Sequence, residues 1–282
     1  MAAWAAEPEA GFMRRILTAI VLIPAVVALV LYGTPHLLVA VQFAIALTAL
    51  WEFLRLAEAA GFHVLRIPGY LFGAVLSFLP LTESPGLGIV ASSMFFMMVM
   101  MVVAMRPGRE MSNVVGSVAV SFFGPIYVAV PLMMLVWVWL NYDGPYHVLF
   151  ALVVIWSGDT AAFFVGRSLG RHKCSPRISP NKTWEGVAAS LAASLLVAVA
   201  AGLWFAGTDF WWEPLPLAAA LNIAGQLGDL AESALKRNAG VKDSSQLIPG
   251  HGGVLDRIDA LLFAAPVLWY YWLWQAPFAK PS

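Results

Sequence analysis

Apolar residues run in long stretches along this chain, divided by short polar segments in which the charges collect. A helix needs about 20 mostly apolar residues to cross a bilayer core. The pattern predicts nine such spans, at residues 16–33, 36–54, 67–82, 87–105, 114–140, 147–166, 187–206, 215–235 and 258–276. The third is short. The fifth contains Gly124-Pro125 and Pro131, so it reads either as one kinked helix or as two short ones. No polar stretch is long enough for a separate soluble domain, and no internal repeat is visible. The expected fold is an all-α polytopic membrane protein with about nine transmembrane helices. It divides into N-terminal helices over 1–145 and a C-terminal region over 146–282.

The polar segments choose between the two readings of 114–140. With nine spans, 15 of the 16 Lys and Arg fall in alternate connections, and only Lys280 falls on the other side. Those connections carry Arg14 and Arg15, then Arg55 and Arg66, then Arg106 and Arg109. Next come Arg167, Arg171, Lys173, Arg177 and Lys182, and finally Lys236, Arg237, Lys242 and Arg257. The opposite connections hold Glu83, Asp143, Asp209 and Glu213. Two helices in 114–140 would split the cations between the sides, so one span is preferred. The positive-inside rule then puts the N-terminus and the basic connections in the cytoplasm. Arg14 and Arg15 precede an apolar run long enough to span, without a clear cleavage site, which reads as an uncleaved start-transfer helix.

Composition agrees. The chain is 61% hydrophobic and 11% charged, against roughly 25% charged in soluble domains. Net charge is zero, and nothing suggests a nucleic-acid partner. The single cysteine, Cys174, excludes an internal disulfide and a multi-cysteine zinc site.

Against this background, charges inside or beside spans stand out, because a central Asp costs on the order of 2.5–3.5 kcal/mol to insert. Asp229, Glu232 and Lys236 share one helical face near the end of the eighth span, with Ser233 one turn beyond Asp229. Asp256 and Asp259 open the ninth span at i, i+3 spacing. Asp229, Asp256 and Asp259 thus form an expected metal cluster suited to Mg²⁺, which takes oxygen ligands from one or two carboxylates plus substrate phosphates. Lys236, Arg237, Lys242 and Arg257 are expected phosphate cations. Gly250, Gly252 and Gly253 offer backbone for close ligand approach beside a helix N-terminus that favours anions. The spacing is not that of a P-loop. His251 reads as an acid, a ligand donor or a turn-holding residue. Asp159 lies near the end of the sixth span and Lys182 ahead of the seventh, in a basic connection that by itself reads as topology and attraction to anionic lipid. Glu52 reads as snorkelling or paired with Arg55 and receives no functional role.

The segment Ser233-Ala-Leu-Lys-Arg-Asn-Ala-Gly-Val-Lys-Asp-Ser-Ser-Gln-Leu-Ile-Pro-Gly-His-Gly-Gly-Val-Leu-Asp-Arg-Ile-Asp259 resembles the signature of phosphatidate cytidylyltransferases, or CDP-diacylglycerol synthases. Asp159-Thr160 through Gly166-Arg167, followed by Ile178-Ser-Pro-Asn-Lys-Thr-Trp-Glu-Gly186, resembles a second block of that family. Asn181, Ser245 and Ala260 depart from it, where a basic residue, Gly and Ser are common. The resemblance covers roughly 155–270 and implies the reaction CTP + phosphatidate → CDP-diacylglycerol + diphosphate at a cytoplasmic face. It implies Mg²⁺, a second and monovalent cation, a homodimer, and a place in phospholipid synthesis at a bacterial inner membrane. In this reading Asp229, Ser233, Lys236, Arg237, Lys242, His251 and Arg257 carry the reaction, and Asp159, Lys182, Gly252 and Gly253 bind substrate with them. Two other classes share parts of the pattern. A CTP-using polyprenol kinase would release CDP. An ion-coupled transporter would more often show inverted repeats and broken helices.

Overall fold

The computed structural model describes residues 9–106, 113–141, 144–205, 211–247 and 252–275. Among them are nine α-helices: α1 (Glu9–Tyr32), α2 (Pro35–Ala59), α3 (Arg66–Phe78), α4 (Pro85–Ala104), α5 (Val114–Leu140), α6 (Gly144–Ser168), α7 (Trp184–Phe205), α8 (Leu215–Asn238) and α9 (Leu255–Gln275). A 3-10 turn, Leu79–Leu81, extends α3. Each helix overlaps one expected span. The description is that of an all-α membrane protein, and five of its helices are long and apolar enough to cross a bilayer: α2, α4, α5, α6 and α7. Helices α8 and α9 have 24 and 21 residues, but both carry acids and bases at one end.

Local chemistry sets the helix ends. Thr34 Oγ1 accepts the Leu37 N–H at 3.3 Å and Pro35 opens α2, a cap and a first-turn proline acting together. Helices α2 and α8 both close on a left-handed glycine, Gly61 at φ 92° and Gly240 at φ 71°. The paired bonds Gly61 N–H to Glu58 O and Phe62 N–H to Ala57 O make the α2 end a Schellman motif. The same pairing from Gly240 and Val241 to Arg237 and Lys236 ends α8.

Segment 114–140 is a single helix with Pro125 and Pro131 inside it. Each proline removes one backbone N–H, and close packing on both sides supports the helix. Gly124 lies against α2, where an added Cβ would come within 2.7 Å of the Phe53 ring. The Ser121 hydroxyl accepts the Leu65 N–H at 2.7 Å, capping the start of α3. Small residues at such crossings let membrane helices approach closely.

Helix α5 is the hub. It packs on α2, α3, α4, α6 and α9, while α6–α7 and α8–α9 form the most closely apposed pairs. One apolar cluster runs from Leu50, Leu54 and Phe72 through Met133 to Leu221, Leu262 and Leu268. Trp139 Nε1 donates to Val30 O at 2.7 Å and ties α5 to α1. The outward faces expose apolar side chains, as on α4 at Met94, Phe95, Met98 and Val102. Contiguous exposure of this kind suits a lipid-facing surface.

The sequence pattern gave no sign of the antiparallel hairpin between α6 and α7. Strand β1 (Lys173–Ser175) pairs with β2 (Ser179–Thr183) in the register Lys173–Thr183 and Ser175–Ser179, with a bulge between. The hairpin hides in a polar, basic stretch with no apolar alternation, so its signal is weak. Thr183, buried, caps α7 by accepting the Gly186 N–H at 3.2 Å.

Candidate active site

The charged ends of α8 and α9, the hairpin and α2 meet in one place. Lys182, on β2, reaches across to α8. Its Nζ pairs with Asp229 Oδ2 at 2.8 Å and donates to Gln226 O at 3.2 Å. Arg237 Nε donates to Ile178 O at 3.2 Å, so the last turn of α8 holds the other end of the hairpin. Two of the basic connections expected on one side of the membrane, 167–182 and 236–257, therefore touch each other.

Two carboxylate groupings result. The first comprises Asp159 on α6, Asp229 on α8 and Asp259 on α9, which lie within electrostatic reach of one another. Lys182 and Arg257 face Asp159 as well. Gly228 brings α8 and α9 together beside Asp229 and Asp259, since a Cβ there would sit 3.1 Å from the Asp259 carbonyl carbon. Ser233 Oγ lies 3.4 Å from Asp229 Oδ1, and Asp259 Oδ1 accepts the Ala260 N–H at 2.7 Å. Arg237, Lys242 and Arg257 are exposed; Arg257 lies within electrostatic reach of Asp159, and Arg237 holds the hairpin at Ile178.

The second grouping is buried. Lys236 lies between Glu232, fully buried, and Asp256, whose side chain is 7% exposed. Lys236 Nζ pairs with Asp256 Oδ1 at 2.5 Å and with Glu232 Oε2. Asp256 Oδ2 accepts the Ser244 N–H at 3.0 Å, the Ser244 hydroxyl at 2.8 Å and the Gly253 N–H at 2.8 Å. Both oxygens of Asp256 are thus engaged by the protein, and the residue would serve a metal only by yielding one of these contacts. Asp229 would likewise have to yield Lys182 at Oδ2 or the long 3.4 Å Ser233 contact at Oδ1, whereas Asp259 has one oxygen, Oδ1, engaged by the Ala260 N–H.

Among the described residues, no group of three or more His, Cys, Asp or Glu side chains closes a cage around an ion. Hard oxygens on two facing helices still fit Mg²⁺ of the kind that arrives with a nucleotide and takes further ligands from phosphates.

Glu52 is the residue that sequence reasoning passed over. It does not pair with Arg55, whose guanidinium lies over the Trp51 ring, 4.8 Å from its centroid. Instead Glu52 is fully buried and accepts four hydrogen bonds from the connection before α9 and from its first residues. The insertion-cost argument that singled out Asp229 applies equally to an acid inside α2, so the signal was available. The glycines expected to admit ligand are shaped by this packing. Gly252 takes φ 79°, and a Cβ on it would lie 2.7 Å from Asp256 Oδ2. A Cβ on Gly253 would lie 2.6 Å from Glu52 Cδ. His251 and Gly250 fall outside the described residues.

Behind the site a polar seam joins α6, α7 and α8. Asn222 donates to Ser190 and Ser194 Oγ, each at 2.8 Å, and accepts from Gln226 Nε2 at 2.6 Å. Gly158 makes room for it, since a Cβ there would meet Asn222 Nδ2 at 2.6 Å.

A family model described as the cytidylyltransferase family matches residues 13–274, nearly the whole chain. The chain belongs to the cytidylyltransferase family. Within that family, 135 residues are 47% identical to a phosphatidate cytidylyltransferase of Brucella suis biovar 1, over 48% of this chain and 48% of that protein. A protein of the same description from Staphylococcus saprophyticus is 45% identical over 126 residues, 45% of this chain and 48% of the other. One from Staphylococcus aureus (strain COL) is 45% identical over 127 residues, again 45% and 48%. The matched stretch spans about half the length of these curated relatives. Both the family assignment and the convergence of charges at the α8–α9 ends agree with the resemblance read from the two sequence blocks.

Proposed function

We propose that this cytidylyltransferase-family protein is an integral-membrane phosphatidate cytidylyltransferase, converting CTP and phosphatidate to CDP-diacylglycerol and diphosphate. The observation that carries the reading is the Lys182–Asp229 pair, which joins the hairpin block to the α8–α9 block at one charged mouth. The relatives' descriptions support it.

The reaction needs alignment more than a strong base. A phosphatidate oxygen, already anionic, bonds to the α-phosphorus of CTP, the bond to the β-phosphate bridging oxygen breaks, and diphosphate leaves. The protein must bring two polyanions together, hold the acceptor in line and neutralise charge on the leaving group. Exposed Arg237, Lys242 and Arg257, with Lys182, supply positive charge for the phosphates. Asp229 and Asp259 would hold Mg²⁺, which when bound offsets charge on the phosphates and polarises the α-phosphorus. Asp159 extends this acidic wall from α6. Ser233 donates toward Asp229 and orients it. Lys236 and Asp256 fix the α8–α9 junction beneath the phosphates.

In the proposed arrangement nine helices span the membrane and residues 146–282 carry the catalysis. The N-terminus, the basic connections and the site face the cytoplasm of a bacterial inner membrane. The positive-inside distribution supports this, as does the contact between the 167–182 and 236–257 connections. A second, monovalent cation and a homodimer belong to the same proposal.

Purified chain, phosphatidate, Mg²⁺ and CTP labelled separately at its α- and γ-phosphates provide the test. Transfer of α-label to lipid, with γ-label leaving as diphosphate, is expected, and chelation of Mg²⁺ should abolish it. Transfer of γ-label to a lipid hydroxyl would replace the proposal with a kinase, and absence of both transfers would sink it.

A further inference from the structure

Glu52 sits on α2, far in sequence from both signature blocks, yet the hydrogen-bond partners of its carboxylate come from the Ser233–Asp259 block. Oε1 accepts Ser245 Oγ at 2.5 Å and the Val254 N–H at 3.0 Å. Oε2 accepts Ser244 Oγ at 3.1 Å and the Leu255 N–H at 2.6 Å. A carboxylate offers about four acceptor sites; Ser245 and the two amides fill three, and the single Ser244 proton is shared between Glu52 Oε2 and Asp256 Oδ2. The Val254 and Leu255 amides open α9, and the start of a helix attracts anions. The chain's own carboxylate therefore fills the anion-binding end that the sequence reading offered to a substrate phosphate.

The contacts continue past Glu52. The Ser244 hydroxyl faces Glu52 Oε2 and Asp256 Oδ2, the Gly253 N–H holds Asp256 Oδ2, and Asp256 Oδ1 holds Lys236 on α8. A line of polar contacts runs from α2 through both flanks of the α8–α9 connection to α8. Ser245 adds a bond that the Gly common at this position in the resembled family could not make.

We propose that Glu52 is a positioning residue for turnover. Its carboxylate pins Ser244, Ser245 and the first turn of α9, and so sets the Asp256–Lys236 pair and adjacent Arg257 at the mouth of the site. The inference rests on the cytidylyl-transfer reading for the meaning of turnover, but the pinning itself does not. A consequence is that substrate phosphates are met by side-chain cations rather than by the α9 amides.

The test uses the full chain in lipid nanodiscs, comparing wild type with Glu52→Gln and Glu52→Asp. Glutamine keeps the size but turns an NH₂ toward two donors, while aspartate keeps the charge and falls short by one methylene. In Glu52→Gln, exchange of the Val254 and Leu255 amides should quicken at least about tenfold, the loss of one hydrogen bond to a charged acceptor. The kcat for CMP transfer should fall by about tenfold or more with KM for CTP little changed, the signature of a lost transition-state arrangement. Glu52→Asp should recover part of kcat. Unchanged exchange would overturn the proposal, as would quickened exchange with wild-type kcat, or a raised KM with kcat intact. If Glu52→Gln fails to fold, Ser245→Ala removes a single donor. It should quicken exchange at the same amides and lower kcat while the chain stays folded, and wild-type behaviour in that variant overturns the proposal. A wild-type protein that transfers no CMP to phosphatidate would defeat the cytidylyl-transfer reading alone, and the exchange comparison would still uphold or overturn the pinning.

Discussion

Lys236 offers the sharpest energetic test of the buried junction. Its side chain is 12% exposed and lies between Glu232, at 0%, and Asp256, at 7%. Lys236→Met keeps most of the stem and removes the charge. Asp256 would retain its donors from Ser244 and Gly253. Glu232 would not be so served, because its Oε1 has no hydrogen-bond partner among the described residues and its Oε2 faces Lys236. Removing one partner of a buried ion pair costs roughly 3–5 kcal/mol, because the other charge stays buried and uncompensated. Adding Glu232→Gln deletes that charge at nearly constant volume and leaves a buried amide, whose unmet hydrogen bond costs about 1–3 kcal/mol. The double variant should therefore be more stable than Lys236→Met by about 2 kcal/mol, the difference between those two ranges. The assay is denaturant unfolding of all four forms in detergent micelles, followed by tryptophan fluorescence and treated as a double-mutant cycle. A double variant no more stable than Lys236→Met would refute the assignment of Glu232 as the stranded charge.

Other outcomes follow from the same geometry. Gly253→Ala places a methyl 2.6 Å from Glu52 Cδ, and should cost about 1–3 kcal/mol as overpacking, whereas Gly240→Ala, with open space at φ 71°, should cost only the roughly 1–2 kcal/mol of a left-handed backbone. Melting temperatures in nanodiscs compare the two, and equal activity and stability of Gly253→Ala and wild type would contradict the close approach. Asp229→Asn breaks a pair whose side chains are 41% and 21% exposed, so stability should change by less than about 1 kcal/mol. CMP transfer should fall by about 10²–10³-fold if this carboxylate stabilises charge in the transition state, and full turnover would remove it from the site. Asn222→Leu deletes three hydrogen bonds of the polar seam. At an average of about 0.6 kcal/mol each within a membrane the loss is about 2 kcal/mol, and an unfolding midpoint equal to wild type would show the seam to be dispensable.

The nine helices and the single helix across 114–140 could be read from the chain because membrane insertion is a local rule. About 20 apolar residues in a row suffice wherever they lie, and glycines and prolines at the ends act on their immediate neighbours. The grouping of Asp229, Glu232 and Lys236 on one face was equally accessible, because helical spacing is local. The two signature blocks carried the family by residue identity alone. The hairpin was not legible, because its short strands lack an apolar alternation and are held by Lys182 and Arg237 reaching to and from α8.

Only the tertiary structure decided which charge meets which. Glu52 bonds to Ser244 and Leu255, 192 and 203 positions away, and Lys236 to Asp256, 20 positions away. Within the sequence alone Glu52 had Arg55 one turn on, and Asp256 had Arg257 beside it. A buried carboxylate is satisfied by whichever donors close packing brings to it, so neighbours in sequence have no priority over neighbours in space. Sequence by itself determined that the chain is built of long apolar helices, that its cations fall in alternate connections, and which blocks carry the family resemblance. Packing of α2 against α9 decided that the α9 amides serve Glu52, packing of α8 on α9 that Asp256 secures a junction, and packing of α6 on both that Asp159 joins Asp229 and Asp259.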